Sequence, residues 1–240
     1  MATTGRELLA ALDEGPARMS GADVAASQRR RMLAAMVAAV AEKGYVDVAV
    51  ADVVSRARVS RATFYEQFRD KADCFVAALQ ACTDQLTRTL RERAPRSLPP
   101  RARLGAFLDA YLSGLAAFPE GARVCLVEMY AVGPEAAEQR HRIQLDFAAR
   151  LRAMHAGLAK AGEPVRPLDD FDFEAIVGAI SALATNRVAA GRARELPELR
   201  EPLERFVLTH FGLDPDERLD EDGRPDSENE QPDQDERPGT

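Results

Sequence analysis

The sequence is poor in cysteine and histidine, and it has no apolar run of the length that crosses a bilayer. Its three cysteines, Cys74, Cys82 and Cys125, form no CxxC pair, and its three histidines are scattered. This pattern predicts neither a disulfide framework nor a zinc site, so we expect no metal ion and no cofactor. We also expect no membrane segment, and because the N-terminus lacks a signal-peptide pattern we place the protein in the cytoplasm.

Sequence motifs of common enzymes are missing as well. The chain contains no HExxH, GxSxG or phosphate-loop pattern. Because catalysis needs a convergent set of acid, base or nucleophile, we expect a protein that is not an enzyme, with a helical enzyme as the distant alternative. Cys74 and Cys82 are eight residues apart, on one side of a helix, which permits a redox pair, but two buried and inert thiols are the simpler interpretation.

The net charge of −7 is unevenly distributed along the 240 residues. Residues 214–240 hold twelve acidic residues and three arginines, a net charge of −9, which leaves +2 for the rest of the chain. Residues 28–73 carry nine basic and six acidic residues. The acidic segment has almost no large apolar side chains, so we expect a disordered tail over 214–240, while the basic excess upstream permits DNA binding.

Apolar residues recur at helical spacing through most of the chain, and no stretch shows the alternation of a strand. We therefore predict an all-α protein of about nine helices, with a flexible arm over residues 1–27 and a proline-rich linker at 95–100. An N-terminal three-helix domain over 28–73 is followed by a helical body over 74–213. The predicted helices lie at about 29–43, 50–57, 60–68, 71–93, 102–118, 121–132, 135–161, 172–192 and 199–211.

The most informative segment is residues 47–68, which predicts two short helices that cross steeply. Val53 and Val54 give the first helix an apolar face, and Ala57 permits close approach of the second helix. Ser60 is a natural N-cap for the second helix, whose first turn presents small and hydrogen-bonding side chains. Such a turn fits the major groove of DNA, which is about 12 Å wide, so the segment predicts a helix-turn-helix.

The run VSRATFYEQF from Val59 to Phe68, followed by Lys71, resembles the DNA-binding domain of the TetR family of regulators. The resemblance covers residues 29–73 and implies that the second short helix enters the major groove of DNA. Its exposed side chains are expected to contact bases, while the Tyr65 hydroxyl and the Lys71 ammonium are expected to contact phosphates. The predicted DNA-binding residues are Arg29, Arg58, Ser60, Arg61, Thr63, Tyr65, Gln67 and Lys71.

Two positions depart from the family pattern. Val48 and Ala49 stand where the family usually has threonine at the start of the first short helix, and Asp47 is the alternative cap. Arg58 stands in the turn where the family favours glycine; if the turn requires a positive φ, this residue costs about 1–2 kcal/mol, which a phosphate contact would offset. The run of arginines from Arg29 opens the predicted first helix, where positive charge opposes the helix dipole, so both phosphate binding and simple solvation remain open.

The resemblance also implies how the body assembles. The last two long helices of each subunit, here 172–192 and 199–211, would pair with those of a second copy in a four-helix bundle. Such a homodimer matches a palindromic operator. The predicted dimer face comprises Phe173, Ile176, Val177, Ile180, Leu183, Ala184, Val188, Leu203, Phe206, Val207 and His210, with the small residues Gly178, Ala179, Ser181 and Ala182 allowing close approach. A core face within one subunit is the alternative.

An effector pocket is implied among the helices between the linker and the dimer interface. The predicted ligand-binding residues are Phe107, Tyr111, Glu128, Met129, Tyr130 and Phe147, with Tyr111, Glu128 and Tyr130 as polar anchors. Plain core packing is the alternative for each large apolar residue. These features predict a DNA-binding transcriptional regulator, a repressor that a small hydrophobic ligand releases from its operator. A ligand-independent DNA-binding or partner-binding module is the alternative.

Overall fold

The computed structural model describes residues 21–215, and every regular element in this range is helical. It confirms the predicted all-α fold with an N-terminal helix-turn-helix. The nine α-helices of this range are α1 (Gly21–Lys43), α2 (Val50–Ala57), α3 (Arg61–Gln67), α4 (Lys71–Arg93), α5 (Pro100–Ala117), α6 (Pro119–Leu126), α7 (Pro134–Lys160), α8 (Asp170–Ala189) and α9 (Arg200–Phe211). Two 3-10 helices span Glu128–Ala131 and Ala193–Leu199. None of the helices described is both long and apolar enough to cross a membrane.

The first helix begins at Gly21, so the predicted start at Arg29 is wrong and the flexible arm does not extend to residue 27. Alanine-rich sequence favours helix here, and Asp23 complements the helix dipole in the first turn. Arg29 therefore lies two turns inside α1, and the predicted conflict of its charge with the helix dipole does not arise. The remainder of the predicted arm and the predicted tail beyond residue 215 lie outside the described residues.

A first hydrophobic core joins α1, α2, α3 and the N-terminal half of α4. Two residues from further along the chain, Val124 of α6 and Met129 of the first 3-10 helix, also pack into it. Burial of apolar surface is the main stabilising term in folding, so this shared core fixes the helix-turn-helix to the body. Its fully buried centre comprises Met32, Met36, Val40, Val53, Phe64, Phe75 and Leu79.

A second hydrophobic core is formed by the C-terminal end of α4 with α5, α7, α8 and α9. Leu79 of α4 lies in the first core and Leu90 of the same helix lies in the second. The two cores are thus joined by one continuous helix of 23 residues. The largest fully buried side chains of the second core are Leu90, Leu104, Leu108, Leu112, Leu151, Phe173 and Phe211.

The predicted helix over 121–132 is interrupted. α6 ends at Leu126, and the 3-10 helix that follows begins with Glu128, whose side chain turns toward the N-terminal domain. This contact between distant parts of the chain is not encoded in helical periodicity, so the sequence pattern did not indicate the break. The other helix ends in the body lie within three residues of those predicted.

Candidate DNA-binding surface and effector cavity

The turn between α2 and α3 is centred on Arg58, which has φ +52° and ψ +51°. No other non-glycine residue in the described range has a positive φ, so the turn does require the left-handed conformation at Arg58. The backbone N–H groups of Arg58 and Val59 donate hydrogen bonds to carbonyl oxygens in the last turn of α2, and these bonds stabilise the turn. For a residue with a Cβ, this conformation costs about 1–2 kcal/mol of free energy, and a glycine would avoid this strain.

Helix α3 begins with the predicted cap. The Ser60 hydroxyl oxygen accepts a hydrogen bond from the backbone N–H of Thr63 over 2.9 Å, and the two hydroxyls are also 2.9 Å apart. The inner side of α3 is fixed by Phe64, which is fully buried. Arg61 and Tyr65 lie on the opposite, exposed side, where half of the Tyr65 side-chain surface is accessible. This side also exposes Ala62 and Glu66, neither of which was among the predicted contacts.

Gln67 does not lie with Arg61 on the outward side of α3. Its side-chain amide donates a hydrogen bond to the Ala25 carbonyl oxygen over 3.2 Å, and Arg29 donates to the Gln67 carbonyl oxygen over 3.3 Å. The Arg29 guanidinium also lies 4.5 Å above the centre of the Phe68 ring. Because α1 begins earlier than predicted, its first turns cover this end of α3. In this structure Gln67 joins α1 to α3, and its base contact stays a prediction.

Lys71 is turned inward. Its ammonium group donates hydrogen bonds to the carbonyl oxygens of Tyr45, over 2.9 Å, and Val46, over 3.3 Å, and it lies 4.2 Å from the centre of the Tyr45 ring. Two of its three donors thus hold the Gly44–Asp47 turn against the start of α4, and the phosphate contact stays a prediction. A phosphate contact would use the third donor. Burial and the charge of Asp70 raise the pKa of the Tyr45 hydroxyl.

The alternative cap predicted for α2, Asp47, is not used. Ala49 occupies the N-cap position, and the carboxylate of Asp52 accepts a hydrogen bond from the Ala49 backbone N–H over 2.8 Å. Lys43 at the end of α1 donates to the same carboxylate over 2.6 Å. The hydrogen bond from Lys43, followed by that from Ala49, lowers the pKa of Asp52. Asp52 thus replaces the missing threonine by capping from within the helix.

A partly open cavity lies between α4, α5, α7 and α8. The wall is mainly apolar, and Phe147 makes edge contacts with the rings of Phe107 and Tyr111 at centroid distances of 5.7 and 5.3 Å. The predicted residues that line it are Phe107, Tyr111, Met129, Tyr130 and Phe147. The few polar wall residues, which the prediction missed, are Thr83, Arg140, Gln144 and Ser181.

Glu128 is the one predicted pocket residue that does not line the cavity. Its carboxylate accepts a hydrogen bond from the backbone N–H of Tyr45 over 2.9 Å and pairs with the Arg123 guanidinium at 2.7 Å. The turn at Gly44 lies directly against the same carboxylate. Glu128 therefore connects the wall of the cavity to the turn that precedes α2. Its carboxylate is engaged by Tyr45 and Arg123, so the structure does not bring this predicted ligand anchor to the cavity wall.

The cysteines have the environment of structural thiols. Cys74 and Cys82 are buried, and all three cysteines of the chain are free. Burial raises the pKa of Cys74 to about 12, and a hydrogen bond with the Cys125 thiol, together with burial, raises that of Cys82. Because the thiolate is the reactive form, these shifts favour the inert interpretation over a redox pair of Cys74 and Cys82. Burial also raises the pKa of Tyr111, so the hydroxyl at the cavity wall stays protonated.

The predicted dimer face of α8 lies largely in the core of one subunit. Its residues Phe173, Ile176, Val177, Ile180, Ala184 and Val188 are buried, and Ile180 lines the cavity. The apolar face of α8 was predicted correctly, but it packs inside its own subunit and not against a second copy. Periodicity identifies an apolar face and does not indicate which part of the protein covers it. The outward side of α8 instead exposes Phe171, Ala175, Gly178, Ala182 and Leu183. On α9, Leu203 and Val207 are buried, and Phe206 and His210 are half-buried.

A short capped helix that presents Arg61 and Tyr65 beyond a tight turn places the protein among the helix-turn-helix DNA-binding proteins. Residues 32–78 match the family of bacterial regulatory proteins, tetR family. This match falls on the segment that the motif around Ser60 indicated. The N-terminal part of the chain is thus similar to the DNA-binding domain of this family.

Two curated proteins support the assignment. The chain is 34% identical to the transcriptional regulator AcuR of Cereibacter sphaeroides over 100 residues, which are 41% of this chain and 46% of AcuR. It is 26% identical to the HTH-type transcriptional activator FasR of Mycolicibacterium smegmatis over 112 residues, 47% of this chain and 51% of FasR. The chain thus spans about half the length of the curated relatives it matches. Both relatives are named as regulators, in agreement with the expectation of a non-enzymatic protein.

Solved structures share the fold over most of the chain. The fatty acid degradation regulator FadR of Bacillus halodurans superposes with a TM-score of 0.68 at 20% identity, covering 75% of this chain and 94% of FadR. FadR of Bacillus subtilis, in complex with stearoyl-CoA, gives a TM-score of 0.67 at 20% identity, with coverage of 75% and 97%. At this identity, the likeness establishes the fold of both domains.

Proposed function

We propose that the chain is a transcriptional repressor that acts as a homodimer, binds a palindromic operator and is released from it by a small apolar ligand. The observation that carries the proposal is the position of Met129, which lines the cavity and also packs in the core of the helix-turn-helix. A ligand that displaces Met129 changes the packing of both regions, because close-packed cores shift between discrete arrangements and do not deform continuously.

The contact with DNA is assigned to the exposed side of α3. Arg61 and Tyr65 face outward there, and Ser60 holds the first turn of the helix in place. Arg61 has the donors that recognise guanine in the major groove, and the Tyr65 hydroxyl suits a phosphate. Arg58 in the adjoining turn is exposed and completes the basic rim of this surface.

The ligand is assigned to the apolar cavity. The names of AcuR and FasR support a regulatory role, and the stearoyl-CoA bound to Bacillus subtilis FadR supports a ligand with a long apolar part. The signal would pass from Met129 and Tyr130 to Glu128 on the same 3-10 helix, and from there to the Tyr45 backbone. Loss of that hydrogen bond would loosen the turn before α2 and weaken DNA binding, which is why we propose repression.

The dimer contact is assigned to the outward side of α8. Phe171 is 77% exposed and Leu183 is 46% exposed, whereas large apolar side chains are usually covered. Gly178 and Ala182 between them present no bulk, and a Cβ at Gly178 would meet nothing within 4 Å. Two copies can therefore approach closely along this stripe. A two-fold axis through it would place two α3 helices on the two halves of a palindrome.

The test combines DNA binding and ligand binding on the full chain. Fluorescence anisotropy with an operator selected from random DNA measures affinity without and with straight-chain alcohols from octanol to dodecanol. We expect at least one alcohol to raise the melting temperature of the free protein and to lower its DNA affinity about tenfold, by about 1.4 kcal/mol.

The control variants decide whether the cavity mediates this effect. Ser181→Phe fills the cavity and is expected to bind DNA without responding to alcohol, whereas Ser97→Phe, the same change at an exposed position, should respond as wild type. DNA binding that no alcohol changes, together with unchanged melting temperatures, would contradict the ligand-controlled function. It would favour the ligand-independent DNA-binding module.

A further inference from the structure

One side of α7 forms a wall of the cavity, and its polarity changes along the helix. The cavity residues of this helix are Arg140, Ile143, Gln144, Phe147 and Leu151, whose spacing of three and four residues places them on one face. The two polar residues, Arg140 and Gln144, lie toward the N-terminal end, and Phe147 and Leu151 follow them. From Arg140 to Leu151 this face extends for about 16 Å, so the cavity has a polar end and an apolar end.

The polar end of the cavity faces solvent. Tyr130 lines the cavity and is 58% exposed, whereas the wall residues Leu108 and Leu151 at the apolar end are buried. The Arg140 guanidinium lies 4.6 Å above the centre of the Tyr130 ring. Arg140 and Tyr130 together therefore form the mouth of the cavity, where a ligand with one polar end would leave that end.

The charge of Arg140 has no anionic partner among the residues that the structure describes. The carboxylates of the adjoining segments are engaged elsewhere, since Glu128 pairs with Arg123 at 2.7 Å and Glu135 pairs with Arg69 at 3.5 Å. The contact of Arg140 with an aromatic ring uses the face of the guanidinium and leaves its five N–H donors for other partners. A cation beside an apolar wall thus favours the binding of an anion at the mouth.

We propose that Arg140 binds the carboxylate of an amphipathic acid whose apolar part fills the cavity. The inference rests on the proposed function, because it defines the chemical class of the effector. One guanidinium donates two parallel, charge-assisted hydrogen bonds to one carboxylate, and the Gln144 amide, one turn further along α7, has donors for a third. A phosphate head group carries nearly two charges and would require a second cation, but no other arginine or lysine of the described chain lines the cavity.

The test is isothermal titration calorimetry of the full chain at pH 7 with decanoate, 1-decanol and decyl phosphate, each below the concentration at which it aggregates. The three probes share a ten-carbon chain and differ in the head group. We expect decanoate to bind about tenfold more tightly than 1-decanol, with an advantage that shrinks as salt is raised. Decyl phosphate is expected to bind no more tightly than decanoate, and a clear preference for decyl phosphate would overturn the assignment of a carboxylate.

Variants of α7 locate the head group. Arg140→Gln is expected to lower the affinity for decanoate about tenfold and to leave that for 1-decanol within twofold. Arg142→Gln removes the same charge from an exposed position of the same helix and should change neither affinity. Because both probes are measured on each protein, a loss of folding, which lowers both affinities, is distinguished from the loss of a head-group contact. Equal affinities of the wild type for decanoate and 1-decanol, or an unchanged preference for decanoate in Arg140→Gln, would overturn the carboxylate site.

The outcomes also separate this inference from the proposed function. Equal binding of decanoate and 1-decanol, with release of DNA by both, would remove the carboxylate site and leave the apolar effector cavity in place. Tighter binding of decanoate that depends on Arg140, without any change in DNA affinity, would support the carboxylate site and contradict ligand-controlled repression.

Discussion

The carboxylate of Glu128 accepts a hydrogen bond of 2.9 Å from the backbone N–H of Tyr45, across 83 residues of sequence. Both residues are buried. Water cannot readily replace such a bond, so its loss leaves a buried donor without a partner. The bond joins the 3-10 helix at the cavity to the turn that leads into the helix-turn-helix.

Replacing Glu128 with alanine is expected to destabilise the N-terminal domain. The Tyr45 N–H and the Arg123 guanidinium lose their acceptor, so the free energy of unfolding in urea should fall by about 1–3 kcal/mol. Glu128→Gln keeps an acceptor for Tyr45 and should recover most of the loss. Glu138→Ala, at an exposed position of α7, serves as the control. A Glu128→Ala protein as stable as this control would show that the bond contributes nothing.

Substitutions of Arg58 separate backbone strain from DNA contact. Arg58→Gly removes the cost of the left-handed conformation and should stabilise the protein by about 1 kcal/mol, whereas Arg58→Ala retains the cost. If the guanidinium contacts phosphate, both variants should lose DNA affinity equally and reduce the slope of log affinity against log salt by about one unit. Unfolding and anisotropy measurements check the two effects. Equal stability of the glycine and alanine variants would argue against strain at this turn.

Substitutions of Arg61 and Lys71 are expected to affect different properties, DNA specificity for Arg61 and stability for Lys71. Arg61→Ala should relax base preference and leave stability unchanged, because the side chain is exposed. Lys71→Met removes the donors to Tyr45 and Val46, so it should lower the free energy of unfolding by about 1–2 kcal/mol. Thermal unfolding and binding to mismatched operators distinguish them. A Lys71→Met protein of wild-type stability that has lost one unit of salt dependence would restore the phosphate role predicted from sequence.

The same residues show which features of the fold and the site can be predicted from the sequence. The cap at Ser60, the buried Phe64 and the strained Arg58 follow from local chemistry, so the helix-turn-helix could be predicted almost completely. The partners of Lys71, Gln67 and Glu128 depend on segments 25 or more residues away, which periodicity does not bring together. Local patterns identify a helix and its apolar side, while the neighbour of each side is set by tertiary packing.

The dimer contact is tested on the outward side of α8. Ala182→Glu places a charge on the exposed stripe without disturbing the subunit core, so we expect folded monomers by light scattering. Ala156→Glu, the same change at an exposed position of α7, should leave dimers intact. Ile180→Asp, by contrast, would place a charge in the core and is expected to unfold the subunit. A dimeric Ala182→Glu protein would contradict this interface.

The central claim is that paired α3 helices of two copies bind a two-fold symmetric DNA site. Selection of DNA from a random pool by the full chain, followed by sequencing of the bound fraction, tests it most directly. The account predicts an inverted repeat whose half-sites are about one helical turn of DNA, or a multiple of it, apart, with loss of the preference in Arg61→Ala. Enrichment of no sequence, or of a single motif without an inverted partner, would contradict it.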